Sequence, residues 1–65
     1  MEQAQKSIPI GWWVRIPNCG DELAQVQSYY PTGACVDGQK GAYGVYPSLV
    51  ALSKDEMLRQ GLRWL

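Results

Sequence analysis

Apolar and polar residues alternate along most of this chain, and the alternation has a period of two. Over residues 10–16 it sets Ile10, Trp12, Val14 and Ile16 on one face and Gly11, Trp13 and Arg15 on the other, as expected for a half-buried strand. Pro17 cannot donate to a ladder and ends it; Asn18-Cys19-Gly20-Asp21 then supplies turn chemistry. Residues 22–30 predict a second, longer strand. Ala24, Val26, Ser28 and Tyr30 share one of its faces, and Leu23, Gln25, Gln27 and Tyr29 share the other. Ala24 and Val26 are expected inside, with the glutamines wet. Pro31-Thr32-Gly33 breaks the strand. A short strand over 34–37, a hairpin turn over 38–41 and a strand over 42–46, stopped by Pro47, follow. Residues 48–52 are apolar but too few to separate a helical turn from a final strand.

The pattern changes period at Ser53-Lys54-Asp55-Glu56, which reads as a capping box. Behind it Met57, Leu58, Gly61, Leu62 and Leu65 recur at helical spacing, predicting a helix over 53–65 with Trp64 at the border of its stripe. A helix that short does not persist alone in water, so its apolar stripe is expected to dock on the sheet or on a neighbouring subunit. Residues 1–8 are mostly polar and predict a flexible tail. The elements add up to a mainly β domain over 9–52, a small SH3-like antiparallel barrel with a short C-terminal α-helix.

Length sharpens this picture. A chain of 65 residues makes one domain, and such a domain buries only about 60% of the surface its unfolded chain exposes. Disulfides are not the expected support. The polar start carries no apolar signal region, which predicts a cytoplasmic protein with Cys19 and Cys35 reduced. A structural zinc site wants four ligands, and the chain has two cysteines and no histidine. No metal and no cofactor are expected. Six basic and six acidic residues cancel, so there is no general electrostatic claim on nucleic-acid backbone. No apolar run approaches the ~20 residues of a membrane span.

Without histidine, imidazole catalysis is excluded. The carboxylates are scattered in turns and in the helix cap, and Cys19 lacks the usual base of a nucleophile. Gly38-Gln39-Lys40-Gly41 matches the loop that clamps nucleic-acid backbone in KH domains, but here it joins two strands and reads as a hairpin turn. Cys35 reads as a small packed hydrophobe.

Three tryptophans and four tyrosines carry the remaining signal. Adjacent Trp12 and Trp13 must face opposite ways, as must Tyr29 and Tyr30, and Tyr43 and Tyr46 stand an odd number apart. Some of these rings therefore lie outside the barrel. They either build a binding surface or cover the underside of the helix or a dimer interface. The candidate binding residues are Trp13, Arg15, Tyr29, Lys40, Tyr43 and Tyr46.

Gly11-Trp12-Trp13-Val14-Arg15, Ala24-Gln25-Val26-Gln27-Ser28-Tyr29-Tyr30 and Gly41-Ala42-Tyr43-Gly44-Val45-Tyr46-Pro47 with Ala51-Leu52 together resemble the plasmid-borne type II dihydrofolate reductases. Those are SH3-like barrels that assemble as tetramers around a central pore. The resemblance implies the fold. Of the family's ligand-binding positions it carries over Val45 and Tyr46, whereas Ile16 stands where the family has a lysine and Gly44 where it has a stacking glutamine. The sequence reading is thus a non-enzymatic interaction module with a protein or nucleic-acid partner. A homo-oligomer formed through the aromatic face or the helix is compatible with it. The alternatives are a dihydrofolate reductase-like enzyme, with a pore lined by Val45 and Tyr46, and a structural accessory subunit.

Overall fold

The computed structural model describes residues 8–64. It contains strands β1 (Trp13–Ile16), β2 (Glu22–Tyr30), β3 (Gly33–Gly38), β4 (Tyr43–Tyr46) and β5 (Val50–Ala51), followed by helix α1 (Lys54–Arg59). A single 3₁₀ turn, Pro17–Cys19, joins β1 to β2. The strands form one five-stranded sheet in the order β4-β3-β2-β1-β5, antiparallel throughout. The sheet curls into a barrel-like domain that stays open between β4 and β5.

The inner face holds the core, and the alternation explains why. Val14 and Ile16 of β1, Ala24 and Val26 of β2, and Ala34 and Val36 of β3 are all buried there, with Trp12, Tyr29, Ala42, Tyr46 and Leu49 packed around them. Ile8 belongs to the same cluster, so the expected tail ends in a core residue; residues 1–7 lie outside the described part. The first strand is shorter than the pattern predicts. Residues 9–12 form a turn closed by the Trp12 N–H on the Pro9 carbonyl (3.0 Å), which leaves Ile10 exposed.

The second half of β2 corrects the expected faces. The β2–β3 register shifts between Val26 and Ser28, so Gln27 is the extra residue of a β-bulge. Parity inverts beyond it. Tyr29, not Tyr30, joins Ala24 and Val26 at the core, and Tyr30 is exposed.

The helix is half the expected length. Ser53 Oγ accepts the Glu56 N–H (3.1 Å) as an N-cap, but Gly61, with φ of 72°, stops α1 where the spacing suggested continuation. The Gly61 N–H reaches the Leu58 carbonyl (3.2 Å) and the Leu62 N–H reaches the Met57 carbonyl (2.9 Å). That pair of bonds is the Schellman ending of a helix. The expected stripe therefore splits. Met57 is fully buried, Leu58 is 66% exposed, Leu62 is half-buried, and Leu65 lies outside the described residues.

Gly61 and Gly33 differ in what a side chain would meet. A Cβ on Gly61 has open space around it, while one on Gly33 would overlap the Tyr46 carbonyl of β4. Gly61→Ala should thus lose only the backbone preference, about 1–2 kcal/mol. Gly33→Ala should cost clearly more, because β4 must move away from β3. Urea unfolding of both variants measures the difference; equal losses would mean that the β3–β4 approach is looser than described.

Candidate functional site

The outer face of the sheet is divided into a covered half and an open half. The covered half lies over β1. Trp13 and Arg15 project from it beside Gln25 of β2, which is opposite Trp13 in the register. The chain after β5 folds back over these side chains. The Trp13 indole N–H donates to the Arg63 carbonyl (2.7 Å). The Gln25 amide donates to the Gly11 carbonyl (2.8 Å) and to the same Arg63 carbonyl (3.3 Å). The Arg15 guanidinium pairs with the Glu56 carboxylate of α1, so that carboxylate meets Arg15 rather than closing a capping box. From the neighbouring position, Trp12 donates its indole N–H to the Leu52 carbonyl (2.8 Å). Its ring meets Trp64 edge-to-face at 5.7 Å and 60°, a favoured aromatic geometry.

Two tyrosines serve the interior. The Tyr29 hydroxyl donates to the Ile8 carbonyl; burial raises its pKa, and the Ile8 backbone partly offsets the rise. The Cys19 thiol donates to the Tyr46 hydroxyl (3.5 Å), and this contact, together with burial, raises the Tyr46 pKa.

The turn over 38–41 is a hairpin loop between β3 and β4, as the sequence suggests. Its amides are already in use. The Glu22 carboxylate accepts from the Lys40 N–H (2.7 Å) and the Ala42 N–H (3.0 Å), and the Gln39 N–H donates to the Leu23 carbonyl (2.9 Å). An internal carboxylate thus sits where a phosphate would have to bind. The cavity beside this loop, about 230 Å³, is lined by Cys19–Leu23 with Gln39 and Lys40, and neither Tyr30 nor Tyr43 lines it.

The open half lies over the end of β2 beyond the bulge and over β3 and β4. Ser28 pairs with Cys35; Cys35 pairs with Val45, and Asp37 with Tyr43. These residues and Tyr30 share the outer face, because directly opposite residues in a sheet do. Tyr43 is 71% exposed, Tyr30 49% and Val45 41%, while Cys35 beneath them is only 9% exposed. The Tyr43 pKa is raised, first by Cys35, then by loss of hydration, and further by the charges of Asp37 and Tyr30. Asp37 is exposed. The ion pair found among the described residues joins Arg15 and Glu56 elsewhere.

Of the candidates read from the sequence, the structure places Trp13 and Arg15 under the C-terminal segment, Tyr29 and Tyr46 at the core, and Lys40 at the exposed hairpin tip. Tyr43 alone among them stands on the open half. Val45 and Tyr46 point to opposite faces of β4, so they do not line a common surface within one chain. Tyr30, Cys35, Asp37 and Val45 were not among the candidates. Strand parity across the hairpin was the signal for Asp37 and Val45; the bulge concealed Tyr30.

No family model matches the chain, and no curated protein or solved structure matches it. Among the described residues, no His, Cys, Asp and Glu side chains gather in a group able to hold a metal ion, and no helix is long and apolar enough to cross a membrane.

Two outcomes follow from this geometry. Trp13→Phe keeps the ring but deprives the Arg63 carbonyl of its indole donor. It should cost about 0.5–1.5 kcal/mol and speed tryptic cleavage after Arg59 and Arg63; cleavage at the wild-type rate would mean that the bond does not hold the segment. The raised tyrosine pKa values act at high pH. The folded state keeps protons that the unfolded chain releases near pH ~10, so their contribution is complete below that pH and is lost as pH rises through the folded values. The thermal midpoint should fall above pH ~10, and less steeply in Tyr46→Phe. An identical slope in that variant would exclude Tyr46 as a contributor.

Proposed function

We propose that this chain is a small non-enzymatic interaction module that binds a protein partner through the open half of its outer face. The observation that carries the reading is the exposure of Tyr43, Tyr30 and Val45 on this one face, while the outer face over β1 carries the chain's own C-terminal segment. Gathered exposed apolar rings on a small domain mark interaction sites, and tyrosine is among the residues enriched where partners bind.

Chemistry favours a protein over a nucleic acid. Stacking rings alone do not hold a phosphate backbone; a cationic groove must track it. The charged group beside the rings is Asp37, the net charge is zero, and the hairpin amides next to Lys40 already bind Glu22. Catalysis has little to work with. There is no histidine, and Cys19 and Cys35 stand on opposite sides of the sheet, one against the Tyr46 hydroxyl and the other under the tyrosines.

Selection of a random dodecapeptide library on the immobilised protein tests this reading. Peptides recovered on wild type should bind at least tenfold more weakly to Tyr43→Thr and Tyr30→Thr, and unchanged to Leu58→Ala, whose side chain is exposed on α1. Fluorescence anisotropy with single-stranded oligonucleotides supplies the contrast. Oligonucleotide binding that is lost in Tyr43→Thr, with no peptide recovered, would replace the protein partner by a nucleic acid.

A further inference from the structure

We propose that the partner binds as an extended segment added to the free edge of β4, and that it places a lysine or arginine side chain against Tyr43 and Asp37. This deepens the protein-binding reading and rests on it.

The edge comes first. β4 stands at one end of the sheet order and has a neighbour on one side only. The Gly38 N–H bonds to the Ala42 carbonyl (2.6 Å), which makes Gly38 and Ala42 a hydrogen-bonded pair. Such pairs alternate along an antiparallel ladder, so Gly44 and Tyr46 turn their amides and carbonyls toward β3. Tyr43 and Val45 then present theirs outward. The residues with free backbone groups are thus the same residues whose side chains stand on the open face. An added strand gains main-chain bonds from Tyr43 and Val45 and side-chain contacts with the same two residues, the recognition mode of strand addition. No charged residue or proline interrupts β4 to blunt this edge.

The charge comes next. Asp37 lies directly opposite Tyr43, in the non-hydrogen-bonded kind of pair, whose side chains approach more closely. A partner laid over Tyr43 takes water from Asp37. An ionised carboxylate stripped of water without a counter-charge opposes binding, so a partner that fits must bring a cation. The Tyr43 ring opposite Asp37 favours the same group, since a lysine or arginine held over a ring face is attracted to it. A second copy of this chain paired through the same edge brings Tyr43, Gly44, Val45 and Tyr46, none of them cationic. It would leave Asp37 unmatched, so the edge fits a basic segment of another protein better than it fits itself.

The test is a positional-scanning array of acetylated, amidated hexapeptides probed with wild type, Asp37→Lys and Tyr43→Thr. Both positions are exposed, so the variants should fold. Wild type should prefer lysine or arginine over glutamate at one peptide position by at least tenfold. Asp37→Lys should reverse that preference, and Tyr43→Thr should weaken all binding. Hydrogen exchange at the Tyr43 and Val45 amides should slow in the complex with the best peptide. Tyr43-dependent binding without a charge preference, or with one unchanged in Asp37→Lys, overturns the inference and leaves the protein-binding reading standing, and unprotected Tyr43 and Val45 amides overturn strand addition in the same way. Absence of any Tyr43-dependent peptide overturns both, and concentration-dependent dimerisation lost in Tyr43→Thr would then name the second copy as the occupant.

Discussion

Adjacent residues of a strand point to opposite faces, and Trp12 and Trp13 turn that geometry into a clamp on the end of the chain. One indole takes the Leu52 carbonyl and the other takes the Arg63 carbonyl, so the segment between is pinned at both ends from adjacent positions where the chain enters β1. Everything that α1 does follows from this. Six residues make a helix far too short to persist on propensity alone. It is held by the clamp, by the Arg15–Glu56 pair and by the burial of Met57. The ion pair by itself is worth little at a partly exposed site; the indole bonds and the Trp12–Trp64 contact supply the directionality.

The clamp also decides which part of the sheet remains available. A curled sheet has an inside that must be filled and an outside that need not be covered. Here the C-terminal segment covers the outside over β1 and stops short of β3 and β4. The rings the sequence offers are thereby divided by task. Those near β1 hold the chain to itself, those on the inner face fill the core, and Tyr30 and Tyr43 are left facing water with a carboxylate between strands. A small domain with a small core gains from every aromatic it can pack, which makes uncovered rings the informative ones.

What was legible in the sequence was what depends on local parity. Val14, Ile16, Ala24 and Val26 were placed inside because a strand alternates, and the hairpin over 38–41 followed from its glycines. What was not legible depended on distant partners or on one inserted residue. Trp13 and Arg15 looked like free surface groups; their partners lie 50 and 41 positions away, beyond the reach of any local pattern. The spacing of Leu62 and Leu65 fits a longer helix, while Gly61 and the Leu after it also form a stop signal. The candidate site was legible only at Tyr43, since opposite-facing residues can be counted from a hairpin, whereas the exposure of Tyr30 depends on a bulge that no spacing announces.

That bulge has the logic of a parity switch. Gln27 adds one residue to β2 without adding one to β3, and every side chain after it changes sides. With the count even, Tyr30 would be driven toward Val26 and Ala34, and Tyr29, along with its bond to the Ile8 carbonyl, would be turned out to water. The interior would have to seat a ring in a different place, and the outer face would carry Tyr29 opposite Gly33 in place of Tyr30. The chain thus reads the same dipeptide in two registers, one for cohesion and one for display, and a single glutamine selects between them.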